Sequence, residues 1–551
     1  YQSALNNVTG TDGTFVGYQS GLNVLLNNNT GVGAYTFQKI GTTGGGGAGE
    51  GNTALGTFAM SGGDDTVANN TAKNNVAVGY ATLGGATKSS DGSAFTAANN
   101  VAVGYQALTA ITTGGSNTAV GSYALDAITS GAGNVALGRG TLGALNTGTS
   151  NVAIGNESLS SLTGTMVGLT AVGYDSLKSL TSGAGNTAIG YETLKTHTTG
   201  ARNTAIGYQA MNNTDAGSTS LGSIDNIFIG YDAGGGTWAD AASSYNVGIG
   251  NYAMDAALNG ALYNMAMGYY ALGALTSGDS NVALGHGAGT ALTTGGSNII
   301  IGRAAGDAHT SMEGTVLIGH YAGSAINSNN ANYSVMIGYN AGISVTSGIG
   351  NNLIGHYAGR YLSTNGYNTM FGFETGAHMN GSSNTFIGYY AGRGSSSSSP
   401  YGNGGNNVAI GREALMAISS GSKNIAIGRD ALKATTDGGG NIALGYYAGT
   451  AITTGHQNVL LGDSVATAIT DGGENIVIGR SAGSNLTSAD NIIAIGEDAL
   501  DLENTGTHAI AIGYRAGYKN RISDVNYNTF MGYNAGREVS TGNHNTFLGN
   551  H

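Results

Sequence analysis

The sequence has 551 residues, no cysteine, one proline and only 9% charged residues. Without cysteine no disulfide can form, so packing has to stabilise the fold. Ordinary globular chains carry about 25% charged residues. The 19 Lys and Arg residues form no cluster, which gives no electrostatic basis for binding nucleic acid or an anionic membrane. No apolar run approaches the about 18 residues of a membrane-spanning helix, so we expect neither partner.

Glycine is what the sequence has in excess, with 99 residues, and 40% of the residues are hydrophobic. A disordered chain needs low hydrophobicity and high charge. Collagen needs glycine at every third position and abundant proline. Neither class fits. The chain begins inside a repeat and without Met, so we expect a fragment of a longer protein.

A unit of 17 residues repeats along nearly the whole chain. Residues 100–116 form one unit, and residue 117 begins the next. Each unit contains an Asn-x-Ala-Ile-Gly block, and its last glycine, the marker glycine, occurs in 30 copies from Gly17 to Gly549. Such periodicity is typical of solenoids. We predict a mainly β fold, a parallel β-solenoid or β-roll of about 30 coils with 17 residues per coil.

The residues before the marker glycine predict a short strand, because they are β-prone and bounded by Asn and Gly. Stacked in register, their Asn side chains would lie about 4.8 Å apart and could hydrogen-bond as a ladder. The predicted ladder consists of Asn100, Asn117, Asn134, Asn151, Asn186, Asn203, Asn424 and Asn441. The marker glycines should form corners with positive φ or close backbone approach. These corners include Gly104, Gly121, Gly138, Gly155, Gly190 and Gly428.

The segment after the marker glycine is ambiguous. Residues 411–418 contain good helix formers, but Gly449 stands where other copies have Leu. A short second strand and one helical turn both remain open. The strand itself does not alternate apolar and polar residues, so both of its faces should be buried. One face can pack inside its own coil, and the other needs a different cover.

Longer repeats indicate protruding loops, which a solenoid tolerates. We predict a single continuous repeat domain. Residues 1–104 should form a solenoid with enlarged loops, and residues 105–549 a regular solenoid with insertions near 212–245 and 391–406.

No residue pattern indicates catalysis, a metal or a cofactor, and we predict none of them. The glycine run 44–47 lacks the Gly-Lys-Ser/Thr of a phosphate-binding loop. Asp does not recur as it does in calcium-binding β-rolls. His320 and His356 share a column with Tyr and Arg, which favours a solvent-facing position over a metal site.

Aromatic residues are the candidates for contacts. Tyr recurs directly after the marker glycine, as at Tyr105 and Tyr191, where packing is favoured over sugar stacking. Trp238, the single Trp, and Tyr401 lie in insertions and are predicted receptor contacts.

The blocks 151–155 and 407–411 resemble the Asn-Ser-Val-Ala-Ile-Gly motif of YadA-like trimeric adhesin heads. That resemblance implies a left-handed parallel β-roll with three chains packed about an axis. The full unit with its Thr-Thr-Gly turn is also similar to repeats in tail-fibre-like proteins of bacteriophages. We therefore expect an elongated homotrimer, in which neighbouring chains cover the second strand face and protect the strand edges.

The expected function is that of a structural fibre shaft in a virion appendage, extracellular, which attaches to a host-cell surface glycan or protein receptor. Two alternatives remain open. One is a bacterial trimeric surface adhesin or extracellular filament. The other is a polysaccharide depolymerase built on a β-solenoid, which would need a pair of carboxylates.

Overall fold

A computed structural model describes residues 11–22, 27–37, 49–61, 71–84, 95–214, 222–238, 241–395, 401–502, 505–520 and 527–551. Much of the predicted insertions, including the glycine run 44–47 and residues 396–400, lies outside these residues. The described chain consists of three-residue strands joined by turns, with one 3-10 turn at Asn329–Ala331. None of its helices is long and apolar enough to cross a membrane.

The chain divides into two compact units, and the first comprises Tyr1–Ser280. Consecutive strands within it pair in parallel, without a break at residue 104. Its strands are β1 (Thr14–Val16), β2 (Thr30–Val32), β3 (Thr53–Leu55), β4 (Val76–Val78), β5 (Val101–Val103), β6 (Thr118–Val120), β7 (Val135–Leu137), β8 (Val152–Ile154), β9 (Thr170–Val172), β10 (Thr187–Ile189), β11 (Thr204–Ile206), β12 (Ile227–Ile229), β13 (Val247–Ile249) and β14 (Met265–Met267).

The second unit comprises Asn281–His551 and repeats the same parallel pairing. Its strands are β15 (Val282–Leu284), β16 (Ile299–Ile301), β17 (Val316–Ile318), β18 (Val335–Ile337), β19 (Asn352–Ile354), β20 (Thr369–Phe371), β21 (Thr385–Ile387), β22 (Val408–Ile410), β23 (Ile425–Ile427), β24 (Ile442–Leu444), β25 (Val459–Leu461), β26 (Ile476–Ile478), β27 (Ile493–Ile495), β28 (Ile510–Ile512), β29 (Thr529–Met531) and β30 (Thr546–Leu548).

The strands stack in register, one per coil, which confirms the predicted parallel β-solenoid. Ala102 of β5 lies opposite Ala119 of β6, 17 residues later. The middle residue of each strand points inward, and both of these alanines are fully buried. The first and third residues point outward, because side chains alternate along a strand. Within the single chain only the inner face is buried, and Ile154 at the end of β8 remains 38% exposed. The expected cover of the outer face from outside the coil stays a prediction.

The segment after the marker glycine is neither a strand nor a helix but a chain of turns. Its second and fourth residues have positive φ, as at Gln106 (56°) and Leu108 (52°). Their N–H groups point to opposite neighbours: Gln106 donates to the carbonyl of Tyr80 at 2.9 Å, and Leu108 donates to that of Ala124 at 3.0 Å. The turns therefore bond to the coil before and the coil after, as the strands do.

Leucine in these turns forms the core together with the inward strand residue. Leu108 and Ile111 are buried beside Ala102. A left-handed backbone costs about 1–2 kcal/mol for a residue with a Cβ, whereas burying a leucine side chain contributes about 1.5–3 kcal/mol. Burial therefore offsets the backbone cost. Glycine replaces this leucine in many coils and has the same backbone conformation, as at Gly449, with φ of 58°.

The marker glycines form the corners between strand and turns. Gly428 has φ of 135°, and a Cβ built on it would overlap the backbone carbonyl oxygen of Gly445 in the next coil. Two features of the corner therefore require glycine. Its backbone conformation is one that glycine adopts readily, and the backbone of the next coil is too close to leave room for a side chain. The same geometry is found at Gly104, Gly121, Gly138, Gly155 and Gly190.

Gly428→Ala should lower the free energy of unfolding by about 4 kcal/mol, since strain and overpacking add. Gly164→Ala is the matched control, because Gly164 has φ of 81° but nothing within 4 Å of its Cβ position. The control should lose only the about 1–2 kcal/mol of left-handed strain. Chemical unfolding measures both, and equal losses would contradict a role for close backbone approach.

Candidate functional site

The asparagine that precedes each strand links three coils. Asn117 donates its backbone N–H and its Nδ2 to Oδ1 of Asn100, at 2.8 and 3.1 Å. Its Nδ2 also donates to the carbonyl of Gly131 at 2.9 Å. Its own Oδ1 accepts both bonds of Asn134, at 3.0 Å each. The side chain is fully buried, so these bonds compensate for the lost hydration of the amide.

The same pattern extends along the predicted ladder. It is found at Asn100, Asn134, Asn151, Asn203, Asn424 and Asn441. Asn186 differs because Leu169 occupies the ladder position of the preceding coil. The Nδ2 of Asn186 keeps the regular bond to the carbonyl of Gly200 and donates to the carbonyl of Gly183 in place of an Asn side chain. At Leu169 the backbone N–H still donates to Oδ1 of Asn151, at 3.1 Å. An apolar ladder residue therefore removes the side-chain bonds and keeps the backbone bond.

Trp238, a predicted receptor contact, is placed in the core and not in an exposed loop, which corrects that prediction. Its side chain is 0% exposed, its Nε1 donates to the carbonyl of Gly234 at 3.1 Å, and its ring packs edge-on against Phe228. Phe228 occupies the inward strand position where most strands have Ala, and Gly248 lies opposite it. Two large rings thus pack together in the core, and Trp238 has no surface to offer a receptor.

Tyr401, the other predicted receptor contact, is half-buried. Its ring stacks on that of Tyr361 with centroids 4.3 Å apart, and His378 lies 6.5 Å away. The ring is therefore held in an aromatic cluster, and its role in receptor contact stays a prediction.

The Tyr column after the marker glycine is a stack of rings. Tyr174, Tyr191, Tyr208 and Tyr231 follow one another with centroids 5.0–5.3 Å apart and planes 3–11° from parallel. Neighbouring rings therefore cover each other's faces and leave their edges at the surface. This arrangement favours the packing interpretation of the column over sugar stacking.

His320 and His356 belong to the corresponding column of the second unit. Their rings lie on either side of Tyr339, with centroid distances of 5.3 and 5.2 Å. Both histidines therefore serve as stacking partners. In the described part of the chain no group of three or more His, Cys, Asp or Glu side chains could hold a metal ion.

A ladder of charges, which the sequence analysis missed, runs beside the turns. Lys178 Nζ lies 2.6 Å from Glu157 of the preceding coil and 3.3 Å from Asp175 of its own coil. Its ammonium group lowers the pKa of Glu157. Lys433 repeats the arrangement with Glu413 and Asp430. The signal in the sequence was an acid two residues, and a lysine five residues, after the marker glycine.

One carboxyl group has a strongly shifted pKa. Burial raises the pKa of Asp255 to about 6, and Asp232 in the preceding coil adds to the rise. In the charge ladder, Asp232 occupies the position of the acid and Asp255 occupies the position of the lysine. Burial also raises the pKa of Asp232, as it does at Asp126, Asp307 and Asp501. Raised pKa values alone do not make a catalytic site, because structural groups also show such shifts.

Three histidines are buried, namely His197, His309 and His378. His309 lies where neighbouring coils have Leu292 and Ile326, and its Nδ1 accepts the N–H of Ser311 at 2.8 Å. Burial lowers the pKa of His309, and it also lowers the pKa of His378. The neutral form of both side chains is therefore favoured in the folded protein.

Asn424→Asp should destabilise the fold by about 3–5 kcal/mol at neutral pH, because it removes two donors and buries a carboxylate against two acceptors. These acceptors are Oδ1 of Asn407 and the carbonyl of Gly438, at 3.1 and 2.8 Å from Nδ2. Asn491→Asp, at an exposed position, should change the unfolding free energy by less than about 0.5 kcal/mol. Equal effects in urea unfolding would contradict the ladder.

The contribution of His309 to stability should fall as the pH drops below about 6.5, the pKa of an unperturbed histidine. At this residue the unfolded chain binds more protons than the folded chain, since burial lowers its pKa, whereas Asp255, whose pKa is raised to about 6, contributes in the opposite direction. His309→Leu, the residue type of the preceding coil, should show a smaller loss. Thermal unfolding between pH 7 and pH 5 measures it, and identical losses in both proteins would rule out this contribution of His309.

Comparison with known proteins adds no assignment. No protein-family model matches the sequence, and no curated protein matches it significantly. The resemblance to adhesin heads and phage tail-fibre-like proteins therefore stays a prediction based on the repeat alone.

Proposed function

We propose that this chain forms the shaft of a homotrimeric fibre, an extracellular virion appendage that attaches to a host-cell surface. The observation that supports this proposal is the outward face of the strands. The residue before the marker glycine is apolar in all 30 copies. In the single chain these side chains stay partly in water, as with Ile154 at 38% and Phe371 at 56% exposure.

Such a face needs a cover. Burying apolar surface stabilises a protein by about 25 cal/mol per Å², and a face left in water forgoes this free energy. Monomeric proteins rarely expose contiguous apolar patches above a few hundred Å². Within each unit the third residues of the strands form an unbroken apolar column from strand to strand, whereas the first residues include Thr and Asn. A second and third copy of the same chain carry columns with the same coil spacing, so they match it in register.

The remaining surface suits attachment more than catalysis. Repeated coils present the same surface many times, and a trimer triples it, so weak contacts add up through avidity. The likeness of the repeats to phage tail-fibre-like proteins supports placement on a virion. Immunogold electron microscopy with an antibody against this chain should label appendages of virus particles, whereas label on a bacterial envelope would favour the adhesin alternative.

The trimer is tested by the mass of the protein in solution, which should be three times the chain mass. The double variant Ile154→Lys/Ile189→Lys places two charges on the outward face and should shift the mass toward that of one chain while the circular dichroism spectrum is kept. Thr163→Lys, on an exposed turn, should leave the mass unchanged. A wild-type protein that is a stable monomer at micromolar concentration would contradict the proposal.

A further inference from the structure

A second surface column, here called the rim column, consists of the residue directly before each ladder position. It holds the tyrosines with the largest exposed fractions in the second unit, Tyr333 at 62% and Tyr367 at 67%. Exposed charged residues, Lys423 and Glu474, occupy the same column in later coils. A column that accommodates charge faces water, so it differs from the apolar outward face of the strands.

Each of these two tyrosines lies on a glycine of the preceding coil. A Cβ on Gly314 would come within 2.8 Å of Cδ1 of Tyr333, and a Cβ on Gly350 within 3.5 Å of Cδ1 of Tyr367. Neither ring shows a contact with another aromatic ring of the described residues. Tyr339, in the same coil as Tyr333, is different because His320 and His356 cover both its faces. The rim tyrosines therefore keep one side open.

The spacing of the two rings is set by the coils. Tyr333 and Tyr367 stand two coils apart, about 9.6 Å at the usual distance between paired strands. Ile349, in the coil between them, is itself 37% exposed. The result is a short surface strip along the stacking direction with an aromatic ring at each end and an aliphatic side chain in the middle. Its length is close to the distance between a pyranose ring and the next ring but one in an extended saccharide chain, so the ring between them would lie over Ile349.

We infer that Tyr333 and Tyr367 form a binding site for an extended oligosaccharide, with one pyranose ring stacked on each tyrosine. The negative face of an aromatic ring attracts the polarised C–H groups of a sugar, and a tyrosine already resting on backbone loses little side-chain freedom on binding. A protein partner fits less well, because a stable protein interface buries about 800 Å² per partner around an apolar core. The inference rests on the proposed function only for its biological role, the recognition of a host-surface glycan.

The test uses the wild-type chain and soluble di- and hexasaccharides of glucose, galactose, mannose and N-acetylglucosamine, with binding measured by saturation-transfer NMR and tyrosine fluorescence. At least one hexasaccharide should bind. Its disaccharide should bind at least about tenfold more weakly, because a disaccharide is long enough to make full contact with only one of the two tyrosine rings. Tyr333→Ala/Tyr367→Ala should weaken hexasaccharide binding by at least about tenfold.

Tyr339→Ala is the matched control, since Tyr339 is 44% exposed but has both ring faces covered. It should keep wild-type affinity, although the loss of its two stacked ring contacts should lower its melting temperature slightly. The double variant should keep the wild-type melting temperature. The inference is overturned if no sugar binds the wild type, if the double variant binds normally, or if Tyr339→Ala loses binding equally. A monomeric wild type that still binds through the two tyrosines would refute the trimer and leave this site standing. A trimeric wild type that binds no saccharide would refute this site and leave the trimer standing.

Discussion

The close stacking of one coil on the next at the glycine corner is the constraint on which the rest of the structure depends. At Gly428 the backbone of the following coil comes so near that no side chain fits between them. Four residues earlier, Asn424 ties the same two coils together, because its Oδ1 accepts hydrogen bonds from the backbone N–H and Nδ2 of Asn441. Corner and ladder thus fix the spacing and the register at both ends of most strands, and a one-residue slip would turn the buried alanines outward. The turns can then carry leucines in a strained backbone, because coils already held in register bring them into the core.

The sequence predicted those parts of the fold that depend on a residue type whose chemistry suits one structural role at that position. Asn134 and Gly138 recur at fixed spacing, and the amide ladder and the open corner follow from their chemistry. The turns did not follow, because leucine rarely adopts positive φ and Leu108 shows no local sign of it. The exchange of Leu for Gly at position 449 was the available signal. Trp238 was misplaced because a lone Trp in a lengthened repeat suggests a loop, whereas its partner Phe228 lies ten residues away in the strand and forms a core with it.

The surface features divide into two kinds that the sequence alone did not separate. Rings such as Tyr191 and Tyr339 stack on their neighbours and are part of the packing between coils. Rings such as Tyr333 and Tyr367 lie on glycine and keep one side open. The distinction depends on which residue the preceding coil presents at the same position. A single substitution in one coil can therefore expose the face of an aromatic ring in the next coil that would otherwise be stacked. In this way a repetitive chain can place binding residues without altering its fold.

The ladder and the corners stabilise one stack of coils but leave the apolar column on its outward strand face in water. The proposed fibre follows from this column, because two further chains would cover it. A cryo-electron microscopy map of the purified protein tests that connection most directly. The account predicts three chains about one axis, with Ile154 and Ile189 of every chain turned toward that axis. A map in which these side chains face solvent in a single, separate chain would contradict it.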